Sequence, residues 1–400
     1  MDLKSGETIW QLKDGPPRKY PPLTENIDCD VAIIGGGITG ALVACELTRH
    51  GADCVIIDKR EPGTGSTSAS TALLVYELDM PLCELAGRIG ERNAAQCYRE
   101  SVEAIGKIER LAQELRIDCD FRRRKSLYLA ERESDVADLR RECAMRQKHG
   151  IEVEIWRREQ IEHCFSFTRP AALMSGDAAE IDIAKFHSAL LEQCARTGAR
   201  IFAQTEMARH SRHSDTSTLV TQNGNRINAR KIVFATGYES EKYLRRKIGS
   251  LKSTFAIATQ PLADFSGWHE RCLIWTTARP YPYLRATTDH RAIIGGEDID
   301  FENEELRDAL LPQKTERLAK TFRSFFPHID FEVACAWAGT FGETADSLAW
   351  IGEPPEFPGA YFALGYGGNG ITYGMIAAEI IRDAYFGKTH PAAHLFGFNR

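Results

Sequence analysis

The chain has 400 residues, with 50 basic against 56 acidic side chains, a formal charge of −6 and 43% hydrophobic residues. That length predicts two domains rather than one core, and the charge balance argues against a nucleic-acid or anionic-membrane partner. No apolar stretch reaches the roughly 18–20 residues that cross a bilayer, and the polar start Met1–Tyr20 has no signal-peptide core. Eleven scattered cysteines without a C-x-x-C pair fit reduced thiols rather than a disulfide framework or a zinc site. His163–Cys164 stands alone and supports no metal site. A cytoplasmic location is expected; the oligomeric state is not readable.

In chain order, residues 1–27 read as an extended arm, because Pro16, Pro17, Pro21 and Pro22 exclude regular structure, with Trp10 pinning it to the body. Val31–Ile34 has the length and β-branched content of a buried parallel strand. Gly35, Gly37 and Gly40 then supply G-x-G-x-x-G, and an amphipathic helix, Ala41–His50, follows. A second strand, Cys54–Ile57, ends in Asp58. Gly35 suits a tight turn, Gly37 a close approach to a pyrophosphate, and Gly40 helix–strand packing. The phosphates are expected on the helix N-terminus, and Asp58 on a ribose hydroxyl. Strand, turn, helix, strand and acid fall in register, which predicts dinucleotide binding.

The loop Glu61–Ser70, EPGTGSTSAS, reads either as a connector or as a second phosphate or cofactor-ring contact. A helix is predicted over 91–115, a strand over 119–130, a polar helix over 135–149 and a strand over 151–156. The basic run Arg122–Lys125 reads as a solvated edge. Helix and strand return over 181–202, followed by a hairpin turning at Asn223-Gly224 and an apolar strand ending at Ala235-Thr236-Gly237. Residues 251–296 are strand-rich and 306–326 helical. Finally, a strand at 361–364 runs into Gly365-Tyr366-Gly367-Gly368-Asn369-Gly370 and a helix over 371–385. A second helix N-terminus so far along the chain implies a ligand longer than one nucleotide unit requires, and FAD fits that demand.

These motifs resemble the D-amino-acid oxidase superfamily of flavoproteins, the group containing glycine oxidase and sarcosine oxidase. The resemblance rests on GGGITG with Asp58, GTGSTSAS, EIDIAKFHSALLEQCARTGARI, FATG, YLRATTDHRAIIGGED, AWAGTFGETADSLAWIG and GYGGNGIT. It implies an α/β fold: a Rossmann-type FAD-binding domain assembled from residues 28–90, 179–249 and 335–400, with an α+β substrate domain, 91–178 and 250–334, on a mainly antiparallel sheet. The cofactor contacts it implies are Gly35, Gly37, Ile38, Thr39, Gly40, Asp58, Lys59 and Arg60, then Gly65, Ser66, Thr67, Ser68, Thr71 and Ala72. Met207, Ala235, Thr236, Gly237, Gly339, Gly367, Gly368, Asn369, Gly370 and Ile371 complete the set.

The activity implied is oxidation of an amine or amino acid C–N bond to an imine, by hydride transfer to flavin N5. No cysteine stands at Ala338–Phe341, where sarcosine oxidases attach the flavin, so non-covalent FAD is expected. Sarcosine oxidases place an oxygen-activating lysine near Ile293–Ile294, and its absence here weighs against oxidase as opposed to dehydrogenase activity. Alternatives are a flavin-dependent monooxygenase and a non-catalytic FAD-binding protein. For the substrate, strand alternation puts Tyr281, Tyr283 and Arg285 on one face, suited to a carboxylate. Alternatively Arg285 pairs with a neighbouring strand's carboxylate, the tyrosines are core, and Arg279 takes the role. Glu77 or Asp79 attracts a cationic amine, or belongs to a solvated turn.

Overall fold

Apolar side chains on both faces of Val31–Ile34 fix the smaller of two sheets. The computed structural model describes residues 2–244 and 246–400 and, of Glu241, the backbone alone. Strand Ile27–Ile34 lies between parallel neighbours Cys54–Ile57 and Arg226–Phe234. Arg200–Phe202 and Ala360–Leu364 extend the parallel set on either side, and Trp350–Gly352 closes one edge antiparallel. The hairpin turning near Gly224 joins Thr216–Thr221 to Arg226–Phe234, with Met207–His213 beyond it.

Successive side chains point to opposite faces of a strand. Val31, Ile33 and Ile56 share a core with Leu42 and Cys45 of helix Ile38–Arg49, Leu190 of helix Ile183–Arg196 and Ile376 of helix Gly370–Tyr385. Ala32, Ile34, Val55 and Ile57 face the other way and cluster with Leu219, Phe362 and Phe398. Both faces are dry, as a parallel sheet requires.

The larger sheet runs, in spatial order, Lys4–Gly6, Val333–Thr344, Gly249–Thr259, Ala292–Asp300, Tyr283–Ala286, Leu273–Thr276, Arg122–Leu129, Ala171–Glu180 and Leu73–Leu74. Its pairings are antiparallel except that of Leu273–Thr276 with Arg122–Leu129. Helix Glu304–Phe325 covers part of it, burying Leu318, Phe322 and Phe325 against Phe255, Ile257 and Ile294. The mixed α/β architecture expected from the sequence is therefore present. The expected segment boundary at 335 falls inside strand Val333–Thr344, so this stretch runs in the larger sheet, as does Leu73–Leu74. Among the described residues no helix is long and apolar enough to cross a membrane.

The first 27 residues are not an extended arm. Lys4–Gly6 is an edge strand paired with Trp337–Gly339. Ile9–Asp14 is a helix whose N-cap, Thr8, accepts a hydrogen bond from the Gln11 N–H. The prolines begin only after that helix, and irregular chain runs from there to Ile27. Trp10 is 2% exposed and donates its indole N–H to the Ser70 carbonyl at 2.7 Å. Trp10→Ala is expected to lower stability by about 3–5 kcal/mol, read from the urea midpoint. An unchanged midpoint would mean that the N-terminal helix merely rests on the body.

Candidate cofactor and substrate site

At the tip of Ile27–Ile34 the chain turns where only glycine fits. Gly35 has φ +106°, and a Cβ there would overlap the Ala235 carbonyl of the neighbouring strand. A Cβ on Gly40 would overlap the Gly35 carbonyl, so the helix starts directly against the turn. Asp58 organises the same turn: its carboxylate accepts the Gly36 and Arg60 N–H groups, each at 2.8 Å. The Ile38 N–H at the helix start donates to Thr67 Oγ1 at 2.9 Å, which clips the GTGSTSAS loop onto the turn.

His187, which the sequence did not single out, supports this arrangement from below. Its Nε2 donates to the Gly36 carbonyl at 2.8 Å. Burial pushes its pKa down to about 4 although that bond favours the charged form. The only advance signal was its place in the helix after Ile181.

One long cavity lies between the two sheets. From the turn it is lined by Gly35, Gly37, Ile38 and Thr39, and from the second strand's end by Asp58, Lys59 and Arg60. Gly65, Ser66, Thr67, Thr71 and Ala72 line it from the loop, followed by Met207, Ala235, Thr236 and Gly237. The far end is closed by Gly339, Gly367, Gly368, Asn369, Gly370 and Ile371, with Tyr281 and Tyr283. Gly40 and Ser68 are not brought to it. Gly40 lies under the turn, and the Ser68 hydroxyl donates to the Thr64 and Gly65 carbonyls within its own helical turn.

At the Asp58 end, Glu239 binds Lys59 at 2.6 Å, Lys242 at 3.0 Å and Arg60 at 3.3 Å. Burial raises the Glu239 pKa, but these cations outweigh it and hold the carboxyl near pKa 2. Glu239 and Lys242 line the cavity and were not anticipated.

At the other end the expectation for Arg285 is corrected. The residue is 2% exposed and does not line the cavity. Its Nη1 donates to the carbonyls of Thr71, Ala72 and Ile181 at 3.1, 2.8 and 3.0 Å, and its Nε to Ala286 at 3.0 Å, with Glu180 3.9 Å away. Its donors go to main-chain carbonyls, and the Glu180 carboxylate it approaches belongs to a strand three places away in the sheet order. Arg279 is exposed, donates to the carbonyls of Ala278 and Asp79, and lies outside the lining.

The side chains that do line this end include Trp275, Tyr281, Tyr283, Thr254, Asp79 and Asp298. Tyr281 donates its hydroxyl to Asp79 Oδ1 at 2.5 Å, so Asp79 belongs to the cavity rather than to a solvated turn. Tyr283 lies across Gly295, its partner in register, where any Cβ would strike the ring. Asn369 stands at the N-cap of helix Gly370–Tyr385 and donates to the carbonyls of Val75 and Glu77 at 3.1 and 3.0 Å, tying the second glycine turn to the irregular segment that carries Asp79. Asp298 and Trp275 were missed. The Gly295-Gly296 pair just before Asp298 was the available hint that a ring packs there.

A glycine turn on a parallel sheet faces a mainly antiparallel sheet across one cavity, and α/β folds hold ligands in such a crevice beyond the carboxyl ends of the strands. Residues 30–384 match the family DAO, FAD dependent oxidoreductase, and the chain belongs to it. It is 30% identical over 227 residues to the putative Rieske 2Fe-2S iron-sulfur protein YhfW of Bacillus subtilis (strain 168), a match covering 57% of this chain and 43% of that protein. It is 23% identical to gamma-glutamylputrescine oxidoreductase of Escherichia coli (strain K12), over 91% of this chain and 86% of that one. The crystal structure of glycine oxidase from Geobacillus kaustophilus aligns with a TM-score of 0.76 at 21% identity, covering 91% of this chain and 96% of that chain.

Two outcomes are expected at this site. Arg285→Met should cost about 3–5 kcal/mol, since four carbonyls lose their donor in a dry site while Glu180 keeps Arg124 at 2.8 Å, measured by urea unfolding. A stable variant with only a raised KM for a carboxylate substrate would return Arg285 to the substrate. For His187 the folded pKa lies below the usual 6.5, so the unfolded chain takes up the proton first and stability falls as pH drops from 6.5 towards 4. Between pH 7 and pH 5 the native protein should lose about 2 kcal/mol more than His187→Gln; parallel pH profiles would refute this.

Proposed function

We propose that the chain binds FAD non-covalently along this cavity and oxidises the C–N bond of an amine or amino acid to an imine. The observation that carries the reading is the continuity of the cavity. It joins the Gly35–Gly37 turn and Asp58 to the second glycine turn at Gly367–Gly370, and ends among aromatic and acidic side chains. The turn has room for a pyrophosphate against the N-terminus of Ile38–Arg49, whose N-cap, Gly37, has no side chain to fill that place. Asp58 retains acceptor capacity for a ribose hydroxyl beyond the two N–H groups it holds. Gly339, Gly368 and Asn369 would hold the ring end. Among the described lining residues there is neither cysteine nor histidine, which supports non-covalent binding.

Bound there, FAD supplies the hydride acceptor. The chain's own residues orient the amine and exclude water: Trp275, Tyr281 and Tyr283 form the wall, and Asp79 receives the Tyr281 hydroxyl. In this reading the smaller sheet is the cofactor layer and the larger sheet the substrate layer. Acid precipitation is expected to release the flavin to the supernatant, and colour in the pellet would contradict non-covalent binding. Anaerobic addition of amines and amino acids should bleach the flavin absorbance; bleaching by NADPH alone would favour a monooxygenase. Gly37→Val is expected to lower bound flavin at least tenfold. Its side chain would press on Thr67 Oγ1, which a Cβ reaches at 3.1 Å, and would enter the phosphate position. Full flavin content in that variant would place the phosphates elsewhere.

A further inference from the structure

We propose that the substrate end of the cavity is a cation site, in which Asp79 and Asp298 select an amine carrying positive charge away from the carbon to be oxidised and disfavour a carboxylate. Diamines and other aminoalkyl compounds are the chemical class that fits. The inference rests on the flavoenzyme reading above and deepens it.

The two ends of the cavity differ in charge. All the basic side chains among the described lining residues, Lys59, Arg60 and Lys242, stand at the Asp58 end around Glu239. The opposite end has Glu77, Asp79 and Asp298 and no lining cation. A bound carboxylate needs a fixed donor fork, and Arg285 and Arg279 donate to main-chain carbonyls instead.

The acids are under-compensated. Among the described residues, neither the Asp79 nor the Asp298 carboxylate forms an ion pair within 4.0 Å, and the nearby Arg279 donates to the Asp79 main-chain carbonyl at 3.3 Å instead. Asp79 holds only the Tyr281 hydroxyl and a 3.5 Å contact from the Gly368 N–H. Asp298 Oδ1 is buried with no hydrogen-bond partner. Glu77, 3% exposed, leans on Arg146 at 3.6 Å and on Ser175, yet its Oε2 is also buried without a partner. Burial, with the nearby Asp79 and Glu343 charges, pushes Asp298 up to about 6 against the opposing pull of a Thr254 hydrogen bond and the Lys252 charge. Buried carboxylates without a partner are costly, and an ammonium placed between them removes the cost. Aromatic rings stand beside them, Trp275 and Tyr281 meeting edge-on at 5.7 Å and Tyr281 and Tyr283 at 6.2 Å, and the Tyr281 ring already takes one cation, the Arg279 guanidinium at 5.0 Å.

The test uses the FAD-loaded enzyme, anaerobic at pH 8, titrated with 1,4-diaminobutane and with 4-aminobutyrate. The two share one amine and the same chain length and differ only in the far group. Binding is read from the perturbation of the flavin spectrum, independently of reduction. The diamine is expected to bind at least tenfold more tightly. Asp298→Asn and Asp79→Asn should each weaken it about tenfold and narrow the preference, with flavin content and melting temperature retained. Equal or tighter binding of 4-aminobutyrate, no perturbation by the diamine, or an unchanged preference in well-folded Asp298→Asn would overturn the cation site. If the variants fail to fold, the wild-type preference decides alone. Tight diamine binding with no amine able to bleach the flavin would support the cation site and sink only the redox reading. Bleaching by glycine with tighter binding than the diamine would do the reverse.

Discussion

A single buried guanidinium holds the floor of the cavity in place. Arg285 stands on a short strand of the larger sheet, but its donors go to Thr71 and Ala72, which border the cavity, and to Ile181, which leads into a helix packed on the smaller sheet. Those carbonyls lie where no strand partner reaches them, and unpaired carbonyls in a dry site are costly. One fork therefore fixes loop, helix entry and sheet together. Trp10, donating to Ser70 just before that loop, and Trp337, donating to Ala69, extend the same clamp along it. The loop that borders the cofactor position is thus held mainly by its backbone, which leaves the Thr67 hydroxyl free to meet the helix start.

The glycine-turn end of the cavity was legible because its determinants are local. The turn, the helix start and Asp58 fall within one βαβ unit, and Gly35 and Gly40 each answer a backbone overlap that any side chain would create. Periodicity likewise located the long helices at 91–114, 183–196 and 370–385 to within a residue or two. The N-terminal residues were misread because four prolines coloured a stretch whose first fourteen residues contain none. An edge strand of three residues carries no periodic signal at all.

The substrate end was much less legible, and Arg285 shows why. Alternation did put Tyr283 and Arg285 on the same face. Alternation cannot say what lies over that face, and at Arg285 it is the Thr71–Ala72 backbone rather than open cavity. Asp79 and Tyr281 are separated by 202 residues. Asp298 comes to the same wall through the antiparallel register that sets Tyr283 against Gly295. Contacts of that range are set by sheet order, which no local pattern encodes.

The two ends of the cavity answer to different physics. A pyrophosphate is held by main-chain N–H groups and a helix dipole, so the cradle is specified by backbone shape and needs few side chains. The opposite end is specified by side-chain charge, and charge there is decided by what is already paired. Glu239 resembles Asp79 in sequence chemistry, yet three cations meet it and fix it as structure. Asp79 has a phenol and a distant N–H, and Asp298 has an oxygen with nothing at all. In a low-dielectric pocket, that difference in pairing separates a carboxylate that builds the wall from one that attracts a ligand.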